Sequence, residues 1–451
     1  MNSNPSNKLD LSYLYTQHIN DLLKRHRQLM KKNNIVSLLI PSGVPLGIYL
    51  DDMQYPFKSS FLLRTYLPLT EITDSYLIIN KIGKPTLIYY QPIDFWHTPP
   101  SDPIDFWSSH FDIKIITQFE QALEFFPENK NSTHLLGEQT QLTKNLDKIS
   151  ANNEQFINEI YWQRAYKSEY EIACLKQANR KAVFAHSVAE EQFRSDKSEL
   201  QIHLAYLEAA NVLEHQLPYG NIVALNEHAS ILHYMECSAE KVNSHLSFLI
   251  DAGVSYNGYH SDITRTYSYK NDEFSDLIIA MDEMQLTCID SIKNGQNYCD
   301  LHIDAHLKIA EIISQFDFVD MSASEMLESG ISSAFFPHGL GHLIGLQVHD
   351  VGGQFADANG KLNPPPSSHP FLRSTRKMEA NMAFTIEPGL YFIESLLKQY
   401  RNSGSNSQYS SLFNWNKIES FMPYGGIRIE DNIVIQENSV LNLTRDAFAE
   451  L

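Results

Sequence analysis

Two aspartates, Asp251 and Asp262, stand eleven residues apart in LIDAGVSYNGYHSDITRTY, residues 249 to 267. The stretch reads as two strands folded back on each other. LSFLI leads in, Gly253, Asn257 and Gly258 supply turn chemistry, and ITRTY is a β-branched and aromatic second strand. The two aspartates are equidistant from position 256.5, the mean of 251 and 262, so a symmetric loop sets the carboxylates opposite each other. Their Cβ atoms would then be roughly 5 Å apart, a destabilising pair of like charges unless something cationic lies between them. A pair of divalent cations would resolve that. The competing reading has Asp262 topping a strand and Asp251 in the hairpin turn.

Further along, FFPHGLGHLIGLQVHDVGG (335 to 353) holds His338, His342 and His349. The i, i+4 spacing of the first two suits a helix, but Gly339, Gly341 and Gly345 favour a tight irregular loop. Three histidines in a glycine-rich, otherwise apolar segment point to metal or substrate binding. MAFTIEPGLYF (382 to 392) reads as a strand stopping at Pro388–Gly389, with Glu387 its last residue. A carboxylate among apolar neighbours is costly unless it is paired or bound to metal. The last candidate lies in FMPYGGIRIEDNIVI (421 to 435), read as a closing strand. Period-two alternation sets Ile427 and Ile429 on one face and Arg428 and Glu430 on the other, which is otherwise a solvated face with a weak ion pair.

Together Asp251, Asp262, His342, Glu387 and Glu430 offer four carboxylates and one imidazole. Four negative charges balance two divalent cations, as a two-metal hydrolytic site requires. Oxygen ligands with one imidazole favour Mn²⁺, with Co²⁺ or Zn²⁺ as substitutes.

These residues need a scaffold. Apolar residues at helical spacing over residues 10 to 32 predict an amphipathic helix whose basic end, KRHRQLMKK, suits the C-terminal dipole. IVSLLI, IKIITQF and HLLGEQ read as strands, and YLIINKIGKPTLIYY as a hairpin turning at Lys81 to Pro85. Strands alternating with helices predict an α/β domain. The pattern changes near residue 160. Ser168 and Glu171 form a capping box opening a helix whose apolar face is Ile172, Leu175, Ala178, Ala182 and Ala185. A second helix follows, then expected strands at NIVAL, SILHY and HLSFLI, and helices near 274 to 293 and 299 to 315. NPPPSSHPFLRSTRKMEAN (363 to 381) is a proline-rich connection carrying Arg373 and Arg376, and RNSGSNSQYSS (401 to 411) is loop-like.

Length and composition narrow the function. The chain of 451 residues has room for two or three domains and an ordinary globular balance of 43% hydrophobic and 20% charged residues. A formal net charge of −19 argues against nucleic acid and against anionic membranes. Cys174, Cys237, Cys288 and Cys299 form no CxxC pair, so neither a zinc knuckle nor a disulfide framework is indicated. There is no GxGxxG and no phosphate-binding GxxxxGK[ST]. The opening MNSNPSNKLD lacks a basic and apolar leader, and no apolar run reaches bilayer length, so a cytoplasmic location is expected.

The ordered set of two aspartates, His342 in HGLGH, Glu387 in TIEPG and Glu430 in GGIRIED resembles the metal site of the pita-bread metallopeptidases. That family includes methionine aminopeptidase, aminopeptidase P and proline dipeptidase. Within it the chain most resembles the bacterial prolidases, the group containing the organophosphorus acid anhydrolases. The resemblance implies an N-terminal creatinase-like α/β domain with a mixed sheet (1 to 160), serving dimerisation and rimming the site. It implies a C-terminal pita-bread domain (161 to 451) with a curved antiparallel sheet and flanking helices. It further implies hydrolysis of Xaa-Pro dipeptides by hydroxide bridging two divalent metals, in a homodimer whose LDDM segment, with Asp51 and Asp52, borders the partner's site. By this resemblance the metals take Asp251, Asp262, His342, Glu387 and Glu430, with Asp262 and Glu430 bridging both and Glu387 also the general base. His338 and His349 would hold substrate and stabilise the tetrahedral intermediate. His233 would contact substrate, Tyr219 would line the pocket, Arg373 would bind the proline carboxylate, and Arg428 would orient the site. Hydrolysis of organophosphate triesters is implied as a side activity. The alternatives are an aminopeptidase P acting on longer peptides and a non-enzymatic binding protein on the same fold.

Overall fold

The computed structural model describes residues 5–144, 146 and 149–451. The first four residues of the polar N-terminal stretch therefore lie outside the described residues. The chain divides into two compact units, one running to Arg164 with Ser168–Cys174 and Asp357–Gly360, the other comprising Ala165–Lys167, Leu175–Ala356 and Lys361–Leu451.

The first unit opens with the expected helix, Pro5–Lys32, whose Tyr15, Ile19, Leu22 and Met30 are buried. Its sheet contains β1 (Ser37–Pro41), β2 (Tyr76–Asn80), β3 (Thr86–Tyr90), β4 (Asp112–Ile116), β5 (Thr133–Leu135) and β6 (Ser150–Ala151), in the order β4-β3-β2-β1-β5-β6. β1, β2 and β3 pair antiparallel and the flanking pairs are parallel, so the sheet is mixed. β1 is buried on both faces, which is why it reads as an unbroken apolar run.

The second unit takes up most of the helix that the Ser168 capping box opens: the Ser168 amide donates to Glu171 Oε2 at 2.8 Å and the Glu171 amide to Ser168 Oγ at 3.4 Å. The helix Glu169–Arg194 follows, with Ile172, Leu175, Ala178, Ala182 and Ala185 buried as expected. The strands are antiparallel. β7 (Ile222–Leu225), β8 (Ser247–Asp251) and β11 (Thr264–Ser268) form one sheet, in the order β11-β8-β7. β9 (Ser255–Tyr256) pairs with β10 (Tyr259–His260), and β13 (Gly389–Tyr391) with β14 (Gly426–Arg428). β12 (Ala383–Ile386), β15 (Asp431–Ile435) and β16 (Val440–Asn442) form the last sheet. The helices Glu273–Ser291 and Tyr298–Gln315 supply much of an apolar core that also takes Phe384, Ile427, Ile429 and Ile433.

Four local expectations change. The organising hairpin is centred one residue later than symmetry about the aspartates suggests. Asp251 pairs with Thr264, and Tyr256 with Tyr259. Asn257 (φ 51) and Gly258 (φ 86) form the two-residue turn, both left-handed, as hairpin twist demands. Asp262 is therefore the diagonal neighbour of Asp251, two residues along the same face from Thr264, not its direct partner.

SILHY is not a strand. Asn226 turns left-handed (φ 55) at the end of β7, and a 3₁₀ turn, Asn226–Ser230, leads into irregular chain. Buried Glu199 replaces a ladder there, accepting from Tyr234 Oη (2.7 Å) and the amides of Leu225 and Ser238 (2.8 Å each). FMPYGG is not a strand either. Phe421 ends the helix Trp415–Phe421, Met422–Tyr424 is a 3₁₀ turn, and extended chain begins at Gly426. Beyond Pro388, where the strand was expected to stop, chain re-pairs as β13. Among the described residues no helix is long and apolar enough to cross a membrane.

β15 is pinned beside the site by a buried ion cluster. Asp431 accepts from Arg265 Nη2 (2.6 Å), Arg445 Nε (2.7 Å) and Asn442 Nδ2 (2.8 Å). Burial would raise its carboxyl, but the two guanidiniums hold it down at about 2. A depressed carboxyl contributes stability present above its ordinary range and lost as pH falls through about 2. Asp431→Ala leaves both arginines without this partner, and should cost about 3–5 kcal/mol in denaturant unfolding. A loss below about 1 kcal/mol would show the cluster to be dispensable.

Candidate metal centre

Each expected ligand arrives on a different element. Asp251 ends β8, Asp262 lies just before β11, and Glu387 follows β12. Glu430 lies between β14 and β15, bridged to Thr264. His342 sits in an irregular loop that forms an isolated bridge between Leu343 and Phe384. Glycine is required in that loop: Gly341 has φ 151, and a Cβ there would collide with the Thr385 carbonyl and Tyr298 Oη. The loop lies against β12 through hydrogen bonds from the His342 amide to Thr385 Oγ1 (3.1 Å) and from the Thr385 amide to the His342 carbonyl (2.9 Å).

The fold brings all five together. Candidate ligand atoms of Asp262, His342 and Glu430 lie within 4.8 Å of one another, and all three side chains are buried. His342 Nε2 is 3.3 Å from Asp262 Oδ2 and 3.5 Å from Glu387 Oε1. Asp251 joins through Arg428, whose Nη2 donates to Asp251 Oδ2 at 2.8 Å. The same guanidinium donates from Nη1 to Tyr391 Oη (2.8 Å) and from Nε to Thr264 Oγ1 (3.2 Å). Thr264 Oγ1 in turn donates to Glu430 Oε2 at 2.8 Å. Arg428 and Glu430 are 4% and 1% exposed, which rules out the solvated strand face.

The electrostatics of this arrangement are those of a site built for cations. Burial pushes Glu430 well above the carboxylate range, and the charges of Asp262, Glu387 and Asp251 push it further. Glu387 rises to about 7, through burial and the charges of Asp262 and Asp251, against the pull of His342 and Arg428. Asp251 is raised by burial, with Arg428 opposing. Asp262 alone falls: burial would raise it, but His342 and Tyr219 outweigh burial. Glu430 Oε1 is buried and has no hydrogen-bond partner, although buried carboxylate oxygens are ordinarily satisfied. An orphaned oxygen beside an imidazole and two further carboxylates fits a divalent cation. Four carboxylates fit two of them.

The remaining expected residues divide. His338 Nδ1 lies 2.9 Å from the Gly339 carbonyl and its Nε2 2.9 Å from Tyr391 Oη, so both ring nitrogens are engaged within the protein. Burial lowers it to about 3, with Arg428 adding to the shift, and it is neutral at pH 7. His349 is exposed, its ring centroid 4.5 Å from that of His342, and is lowered to about 4 by desolvation and by the charges of His342 and Arg373. His233 and Arg373 are exposed and both act electrostatically on His349. Tyr219 donates to Asp251 Oδ1 at 2.8 Å, a closer role than lining a pocket. Thr264, Thr385, Tyr391 and Asn432 were missed. Period-two counting finds two of them, since Thr264 is two residues after Asp262 and Thr385 two before Glu387. Asn432, which accepts from the Asp262 amide at 3.0 Å, has no such signal.

Against known proteins, residues 173–437 match Metallopeptidase family M24, and residues 13–162 match the N-terminal domain of Xaa-Pro dipeptidase. The chain is 46% identical over 437 residues to the Xaa-Pro dipeptidase of Pseudoalteromonas haloplanktis, covering 97% of this chain and 98% of that one. It is 43% identical to that of Aeromonas hydrophila subsp. hydrophila, covering 97% and 99%. Among solved structures, zinc-substituted Escherichia coli aminopeptidase P in complex with product superposes with a TM-score of 0.71 at 21% identity, covering 94% of each chain. At that identity the likeness is one of fold.

Because Glu387 is held up near 7, the folded metal-free chain keeps a proton between about pH 4.5 and 7 that the unfolded chain lacks. Its contribution to stability therefore falls as pH rises through that window, and cation binding must release the proton. The Tm gain on adding Mn²⁺ to chelated protein should be larger at pH 8 than at pH 5.5, with proton release in calorimetry. A larger gain at pH 5.5 would contradict this account.

Proposed function

Because the chain belongs to metallopeptidase family M24, we propose that it is a metal-dependent Xaa-Pro dipeptidase releasing C-terminal proline. One observation carries the reading: buried Asp262, His342 and Glu430, close enough to share a cation, stand in a chain that Xaa-Pro dipeptidases match over 97% of its length at 42–46% identity. The match of residues 13–162 to the dipeptidase N-terminal domain favours this over aminopeptidase P. The filled ligand set favours it over a non-enzymatic relative.

Asp251, Asp262, His342, Glu387 and Glu430 would hold two divalent cations, Mn²⁺ by the predominance of oxygen donors. When bound, these ions supply Lewis acidity that activates water and polarises the scissile carbonyl. Glu387, with Oε1 3.5 Å from His342 Nε2, would take the attacking water's proton and deliver it to the leaving imino nitrogen. That proton is needed because the nitrogen of a scissile amide leaves as a neutral amine only once it is protonated. His349 is the exposed neutral imidazole, placed to donate to the tetrahedral intermediate. His338, with both nitrogens engaged, would position Tyr391, whose hydroxyl also accepts from Arg428. Arg428 keeps Asp251 oriented, and Tyr219 holds that carboxylate's other oxygen. Arg373 would read the free proline carboxylate through its planar fork, with His233 beside it.

The residue 1–160 unit would serve dimerisation and rim the partner's site, in a cytoplasmic homodimer. Exposed Tyr49, Leu50, Ile93, Phe95 and Trp96 support a protein-covered surface on that unit, and Asp51 and Asp52 are exposed beside two of them. Light scattering of the purified chain at the mass of two copies is the expected result, and a monomer would remove this part.

Chelated protein given back Mn²⁺ should hydrolyse Ala-Pro faster than an Xaa-Pro-Yaa tripeptide, and Asp262→Asn should lose at least about 100-fold in kcat, the scale of a lost metal ligand or its support. Arg373→Ala should raise KM for Ala-Pro with a smaller change in kcat. Faster tripeptide cleavage would move the assignment to aminopeptidase P. Inactivity of fully metallated protein would support a binding role.

A further inference from the structure

We propose that His302, His306 and His369 form a mononuclear transition-metal site, distinct from the carboxylate centre, that ties the proline-rich connection 363–381 to the helix Tyr298–Gln315. His302 and His306 are one turn apart on that helix, the i, i+4 spacing that sets two side chains on one face. His369 comes from the connection. The three ring centroids are 4.5–4.6 Å apart in every pairing. One candidate ligand nitrogen from each lies within 4.8 Å of the other two.

The hydrogen-bonding state of these rings points to a ligand. His302 and His306 are 1% exposed and His369 is 9% exposed. Neither ring nitrogen of His302 has a partner, nor has His306 Nε2. A buried imidazole nitrogen left unsatisfied costs about 1–3 kcal/mol, and one nitrogen of each of the three rings lies close enough to share an ion. One metal ion would satisfy one nitrogen of each ring, an orphaned atom of both His302 and His306 among them. His306 Nδ1 is 3.1 Å from Ser332 Oγ, the kind of outer contact that fixes a ligating imidazole and leaves its other nitrogen for the metal.

The protonation state agrees. Burial first and the neighbouring imidazoles second lower His302 to about 3 and His306 to about 2, so these rings are in the neutral, ligating form at pH 7. Three imidazoles without a carboxylate suit Zn²⁺, Cu²⁺ or Ni²⁺ better than Mn²⁺, so the two centres select different ions. Tetrahedral zinc with bonds of about 2.0–2.1 Å needs nitrogens roughly 3.4 Å apart, a modest ring rotation from the arrangement seen. A three-histidine set leaves the fourth position to a solvent-derived ligand. Phe336 packs against His306 (4.6 Å), His302 (5.7 Å) and His338 (4.9 Å), an aromatic link between this cluster and the carboxylate centre. The tether also fixes His369, four residues from Arg373.

The test uses the untagged full-length chain carrying Asp262→Asn and Glu430→Gln, chelated and titrated with Zn²⁺ by calorimetry. One equivalent should bind, and Co²⁺ in its place should give the intense visible absorption of a low-coordinate nitrogen site. Both should vanish when His306→Gln is added. In parallel, the unmodified chain equilibrated with Zn²⁺ should hold one more zinc per chain than His369→Gln, counted by mass spectrometry. Its residues 363–381 should exchange amide hydrogens more slowly with zinc than without. No zinc equivalent in the double variant together with equal zinc counts in the parallel pair would overturn the site. An equivalent that survives both histidine substitutions would place it elsewhere, and unchanged exchange in 363–381 would overturn the tether.

Discussion

Four carboxylates drawn into one largely buried place constrain the second unit more than any other interaction. Asp251, Asp262, Glu387 and Glu430 repel one another in a medium that screens poorly, and the raised carboxyls of Glu387 and Glu430 record that repulsion. Without cations, protons relieve it. Arg428, at the centre of the group, compensates one charge and cannot compensate four. The surroundings serve to keep the remaining charges aimed at the same point. Thr264 holds Glu430, Tyr219 holds Asp251, and Thr385 lies 3.4 Å from Glu387.

The backbone features nearby follow from that requirement. Five ligands from separate elements converge only if the chain makes close approaches, and Gly341 is where the histidine loop presses against Thr385 with no room for a side chain. Asn257 and Gly258 close the hairpin in the left-handed conformation its twist needs, and so decide which residue faces Asp251. The Asp431 ion cluster anchors β15 immediately after Glu430. In M24 chemistry a small error in ligand position is a large error in metal geometry, and these anchors are the physical means of limiting it.

The histidine cluster shows the opposite electrostatic solution. Its rings are buried and neutral, so they coexist without repulsion and select softer ions than the carboxylates do. One fold thereby presents two donor sets of contrasting charge, linked by Phe336.

How much of this was legible in the sequence depends on the range of the interaction. Local periodicity and turn chemistry determined the N-terminal helix, the Ser168 cap, β1 to β5 and the two long helices before the histidine loop, because those signals lie within a few residues of one another. Residue type and order pointed to the five candidate ligands, which the fold brings together, and to the balance of charge they imply. Register was beyond it: symmetry about the aspartates missed by one residue, since the Asn257–Gly258 turn rather than the carboxylates sets the pairing. SILHY looked like a strand because β-propensity is local, whereas the Glu199 carboxylate that claims the segment's hydrogen bonds lies 31 residues or more before it. His302 and His306 are visible one turn apart on a helix, but His369 follows 63 residues later on a connection with no periodicity. Which distant polar groups share a buried space is decided by tertiary packing, because burial removes water as the alternative partner and so makes each such meeting energetically decisive.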